Sequence, residues 1–98
     1  MATFEELGNK LEEFIKSISN FKIGKTGQSI EDRFNDKYYD DYAEYYVVGS
    51  AKESKVIDNF EKYLIDRFMN HENCDNEQIG GGEMTESDNY IVYVMYNK

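Results

Sequence analysis

Proline is missing altogether from this 98-residue sequence, so its turns must be marked by glycines and by the capped ends of helices. Cysteine is nearly missing. The single Cys74 excludes an intramolecular disulfide and suits a reducing compartment. Cys74 and the single histidine, His71, together fall short of the four ligands of a usual zinc site, which leaves Cys74 as a loop residue. Long apolar runs are also absent. The longest, Tyr90 to Tyr96, is far too short to cross a bilayer as a helix. The N-terminal segment is acidic and amphipathic without an apolar h-region, so no signal peptide is expected and the protein is expected to be soluble and cytoplasmic.

Positive charge is scarce as well. Eleven lysines and arginines stand against twenty aspartates and glutamates, a net charge of −9, which argues against a nucleic-acid-binding surface spread over the whole chain. Distribution qualifies the sum. Between Lys22 and Lys37 four basic residues (Lys22, Lys25, Arg33, Lys37) meet three acidic ones, so this segment is +1 and the remainder is −10. What the chain does have is 40% hydrophobic residues, including nine tyrosines and six phenylalanines. That supports one small folded domain with large aromatic areas to bury and no room for a second core.

Thr3-Phe4-Glu5-Glu6 has the form of a capping box, and apolar residues at Phe4, Leu7, Leu11, Phe14, Ile15 and Ile18 continue it as a scaffold helix. Phe21 to Thr26 reads as a short strand punctuated by Gly24 and Gly27. Ser29 with Glu31 and Asp32 starts a second helix, on which Ile30, Phe34, Lys37 and Tyr38 share a face with Arg33. Tyr42 to Val48 alternates as a strand ending at Gly49, and Ser50 to Glu53 forms a second capping box. A third helix spans about Ala51 to Met69. Asn70 to Gly82 is a polar, glycine-containing loop, and Tyr90 to Tyr96 is a strand rich in β-branched and aromatic residues. The expected fold is α+β (α/β), a small three-stranded, mainly antiparallel sheet flanked by three helices.

Two charged residues fall on apolar faces. Arg33 either lays its stem over apolar surface and snorkels outward, or faces an anion. Glu61 lies within the apolar arc of the third helix, between the directions of Phe68 and Ile65. An unpartnered buried carboxylate costs several kcal/mol or takes up a proton. Glu61 is therefore expected to pair with a cation (Arg33 being the candidate), bind a metal, or line a cleft. Gly24-Lys25-Thr26 is not a P-loop, because Ser19 stands where that motif needs its first glycine.

Lys22-Ile23-Gly24-Lys25-Thr26, followed by Arg33, Glu61, Asn76 and Gly80-Gly81-Gly82, resembles the GIY-YIG nuclease superfamily, in its divergent phage and viral branch. The resemblance implies that Arg33 stabilises a phosphate transition state. It implies that Glu61 holds one divalent cation, Mg2+ or Mn2+, a hard ion suited to carboxylate and water ligands. It makes Asn76, or else Asn73, the loop asparagine. Lys22 takes the position of the second-motif tyrosine, and Lys25 and Lys37 would track the nucleic-acid backbone. The family's opening strand would come from the chain's last strand in a circularly permuted arrangement. That strand would then pair beside Phe21–Thr26 and supply Tyr93 as the phenol.

Two functions follow as expectations. One is a metal-dependent endonuclease in which Arg33 clamps the phosphate, Glu61 binds the metal, Tyr93 or Lys22 moves the proton, and Asn76 completes the site. The other is a nuclease-like binding protein that cuts nothing. Its partner would be a protein, a nucleic-acid-binding surface that it occupies as a mimic, or a small phosphorylated ligand.

Overall fold

The computed structural model describes residues 3–35, 40–77, 84 and 86–98. Its elements run α1 (Phe4–Ile15), β1 (Asn20–Thr26), α2 (Ile30–Arg33), β2 (Glu44–Ala51), α3 (Ser54–Phe68) and β3 (Tyr90–Asn97). The strands form one antiparallel sheet in the order β1-β3-β2. With three helices, this is the α+β architecture expected. None of the described helices is long and apolar enough to cross a membrane.

The last strand lies in the centre. β3 pairs along all of β1, from Asn20↔Asn97 to Thr26↔Ile91, with Gly24 opposite Tyr93. Its residues Tyr90 to Met95 are all buried, because a central strand covered on both faces loses the polar alternation of a half-exposed one. Val92 and Val94 point to the side of α1 and α3, where Leu11, Ile15, Ile57, Phe60, Leu64, Ile65 and Phe68 complete the main core. Ile91, Tyr93 and Met95 point to the other side, against Tyr42, Ile30 and Phe34. Each fully buried large apolar side chain of α3 stabilises the fold by roughly 1.5–3 kcal/mol, so this helix anchors the sheet.

Thr3 caps α1 by accepting a hydrogen bond from the Glu6 N–H at 3.1 Å. The other end of α1 is capped from far along the chain. Asn73 donates its amide to the carbonyls of Ile15 and Ile18 at 3.1 and 3.5 Å. Ser29 caps α2 as expected, accepting from the Asp32 N–H.

The second capping box does not form. β2 continues through Gly49 to Ala51, paired as Ser50↔Ile91 and Ala51↔Tyr90, so Ser50 is a strand residue and α3 begins three residues later than expected, at Ser54 behind Glu53. Continued pairing with the central strand outweighs one local cap. A register shift between Val47 and Gly49 makes room for it. Gly49 is not a terminator. A Cβ there would come within 2.8 Å of the Phe60 ring, so its bareness lets α3 pack closely on the sheet.

Gly24 answers to a similar demand from the other face. A Cβ at Gly24 would fall inside the ring and hydroxyl of Tyr93, which is 1% exposed and cannot swing away. Gly24→Ala is expected to lower stability by about 1–3 kcal/mol, the usual cost of overpacking. In a Tyr93→Leu background the same change is expected to cost much less. Urea denaturation of the four proteins measures this, and an equal cost in both backgrounds would contradict the packing assigned to Tyr93.

Candidate functional site

Alternation along β1 separates the charged candidates. Phe21, Ile23 and Lys25 face α3, whereas Lys22, Gly24 and Thr26 face α2. On the α2 face the order along the sheet is set by the register, with Lys22 beside Met95, Gly24 beside Tyr93 and Thr26 beside Ile91. Arg33, at the end of α2, is half-buried and donates from Nε to Tyr93 Oη at 3.4 Å. The structure thus brings together Arg33 and Tyr93, with the half-buried Lys22 one strand step away on the same face.

Glu61 belongs to the opposite face. It is 6% exposed, and its cation is Lys25, whose Nζ lies 3.6 Å from Glu61 Oε1. That separation gives Coulomb attraction but is too long for a hydrogen bond, so Oε1 accepts none from the described residues. Lys25 is held more closely by Asp58, one turn earlier on α3. The ion pair of Glu61 with Arg33 is therefore not formed, and the single cleft joining Arg33 and Glu61 is not what the fold builds. A backbone layer separates them. Lys25 also departs from its expected role. At 9% exposed and shared between two carboxylates, it does not track a nucleic-acid backbone. Lys37 and Gly80-Gly81-Gly82 lie outside the described residues.

Asn76 holds the backbone. Its Oδ1 accepts from the Ile23 N–H at 2.8 Å, and its Nδ2 donates to the Ile23 carbonyl at 2.9 Å. Both ends of the amide are thereby committed to the outer edge of β1, which an edge strand would otherwise leave unpaired. The neighbouring backbone continues the same edge. Phe21 N–H donates to the Asn73 carbonyl at 2.9 Å, and Asp75 N–H donates to the Phe21 carbonyl at 2.8 Å. Neither asparagine candidate presents its amide to the α2 face. Burial pushes the Cys74 thiol up, which keeps it protonated within this segment.

Sequence reasoning missed Asp58 and the polar cluster around Asp75. Asp58 was within reach, since it lies three residues before Glu61 on a helix and a buried lysine needs anions. The Asp75 cluster joins distant segments. Asp75 Oδ2 accepts from the Asn20 amide at 2.6 Å and the Tyr42 hydroxyl at 2.8 Å, 55 and 33 residues away, which no local pattern shows.

The residues do not fit the divalent cation that the resemblance implies. Glu61 and Asp58 are one turn apart, but the ammonium of Lys25 already supplies the positive charge between them. Glu61 itself is enclosed by the core, whereas Mg2+ or Mn2+ keeps several oxygen ligands, mostly water. Among the described residues no group of three or more histidine, cysteine, aspartate or glutamate side chains could hold a metal. Comparison of the chain with protein-family models, with curated proteins and with solved structures gave no match.

Desolvation raises the Glu61 carboxyl above the ordinary carboxylate value, and Lys25 only partly counters it. Folding therefore favours protonated Glu61. Its contribution is complete below the ordinary glutamate pKa and is lost as pH rises through the raised folded value. Glu61→Gln keeps the shape and removes the titration. Its thermal midpoint is expected to exceed that of the wild type at pH 7–8, with the gap closing by about pH 4. A gap that is constant or reversed over this range, in a thermal melt series, would contradict the raised carboxyl.

Proposed function

We propose that the chain binds a small phosphorylated ligand on the α2 face of its sheet, clamped by Arg33, with Tyr93 fixing the guanidinium and Lys22 adding charge. The observation that carries this reading is the Arg33 Nε–Tyr93 Oη contact of 3.4 Å, made on a buried phenol. The hydrogen bond from Nε to the buried phenol orients the guanidinium from one edge and leaves its two terminal nitrogens on the other. A fixed, half-desolvated guanidinium is the side chain best suited to bidentate phosphate recognition.

Charge supports a small ligand over a polyanion. The chain carries a net charge of −9, and one of its few cations, Lys25, is engaged on the opposite face by Asp58 and Glu61. Screening limits a small phosphate to charges within about 8 Å at physiological salt. A nucleic acid would extend beyond that range into the acidic remainder. We infer a fold of the GIY-YIG kind, circularly permuted, and this is supported by the pairing of β3 with β1 that sets Tyr93 opposite Gly24.

One observation favours endonuclease activity as the second reading. A phenol beside an arginine places a proton-transfer group next to a phosphate clamp, which hydrolysis of a phosphodiester would use. Under this reading the active protein would act on DNA rather than RNA.

The experiment pairs an NMR titration with inorganic phosphate and a supercoiled-plasmid nicking assay with Mg2+ or Mn2+, for wild type, Arg33→Ala, Tyr93→Phe and Glu61→Gln. Expected are phosphate binding weakened about ten-fold or more by Arg33→Ala, unchanged binding in Glu61→Gln, and no nicking. Metal-dependent nicking abolished by both Arg33→Ala and Glu61→Gln would replace the binding reading with the endonuclease.

A further inference from the structure

Beside the Arg33–Tyr93 contact lies an open pocket of about 300 Å3, whose walls include Ser29, Ile30, Val47, Asp88, Asn89 and Ile91. It belongs to the same sheet face. Ile91 is the next residue of β3 on the side of Tyr93, and Ile30 is one turn before Arg33 on α2. Val47 pairs with Tyr93 from the other neighbouring strand. Three elements thus contribute aliphatic walls, and the Ser87–Asn89 segment contributes a polar rim.

We propose that this pocket receives the base of a nucleotide whose phosphate is held at Arg33, a proposal that rests on the phosphate-binding reading above. Spacing supports it. Two residues along a strand span roughly 6.6 Å, so a group against Ile91 sits about that far from one at Tyr93. This matches the reach from phosphate to base within a mononucleotide.

Charge settles which end of the ligand goes where. Asp88 stands in the pocket wall, so an anionic group is repelled there and belongs at Arg33, leaving the neutral part of the ligand to the pocket. The aliphatic walls formed by Ile30, Val47 and Ile91 suit the faces of a flat ring. The Asp88 carboxylate accepts hydrogen bonds and donates none. It favours a base with an exocyclic amino group, such as cytosine, over uracil, which presents a carbonyl at the same position.

The test titrates CMP, UMP, cytidine and inorganic phosphate into wild type, Val47→Trp, Asp88→Asn and Arg33→Ala, by calorimetry or NMR. Val47 is 39% exposed, so tryptophan there fills the pocket mouth without entering the core. Asp88→Asn, on an exposed residue, gives an independent handle that leaves packing alone. CMP is expected to bind at least ten-fold more tightly than inorganic phosphate and several-fold more tightly than UMP. Val47→Trp should bring CMP down to the level of phosphate while leaving phosphate binding unchanged, Asp88→Asn should even out CMP and UMP, and Arg33→Ala should weaken both nucleotides and phosphate. If CMP binds no better than phosphate, or Val47→Trp leaves CMP binding intact, the pocket assignment is overturned and the phosphate reading survives. If neither phosphate nor nucleotide binds the wild type, both are overturned.

Discussion

The ring of Tyr93 lying across Gly24 is the contact on which the rest of the structure depends. β3 follows β1 and β2 in the chain and is the central strand of the sheet, so the two outer strands are joined only through it. Its register against β1 is fixed where the largest buried side chain meets the one residue of that strand without a side chain. A slip by one residue would turn Tyr93 toward α3 and bring Val92 and Val94 out of the main core. The same ring then holds Arg33 through its hydroxyl. One packing contact thus fixes the sheet register and the position of the candidate phosphate clamp.

The sheet also keeps two charge systems apart. On one face the buried Lys25 is shared between the partly exposed Asp58 and the buried Glu61, whose Oε1 accepts no hydrogen bond from the described residues. Such a group is weak evidence for stability, because the desolvation of Lys25 and Glu61 offsets much of their attraction. On the other face Arg33 and Tyr93, with Lys22 nearby, stand beside a pocket. The pocket lies on this second face, across the sheet from the Lys25 group.

Much of the fold was legible because its signals are local. The stripe Phe4, Leu7, Leu11, Phe14, Ile15 gave α1, the Thr3 and Ser29 caps gave helix starts, and the β-branched run from Tyr90 gave β3. The burial of Glu61 followed from helical geometry alone. What failed was the inference of partners. Glu61 went to Lys25 rather than Arg33 because strand alternation, decided by which residues of β1 face α3, overrode a match of charges across the sequence. Gly49 and Ser50 read as a strand end and a cap because nothing nearby shows that Val92 and Ile91 of β3 will pair with them. Asn76 looked chemical, yet an edge strand needs its outer hydrogen bonds met. That need is invisible until the strand order is known.

The separation of Arg33 from Glu61 by the sheet is the central claim, and a thermodynamic double-mutant cycle tests it most directly. Urea denaturation of wild type, Arg33→Ala, Glu61→Gln and the double variant at pH 7 gives the coupling energy. Residues on opposite sides of a backbone layer should be additive to within about 0.5 kcal/mol. A coupling above about 1 kcal/mol would mean that the two side chains act in one site, which would contradict the account.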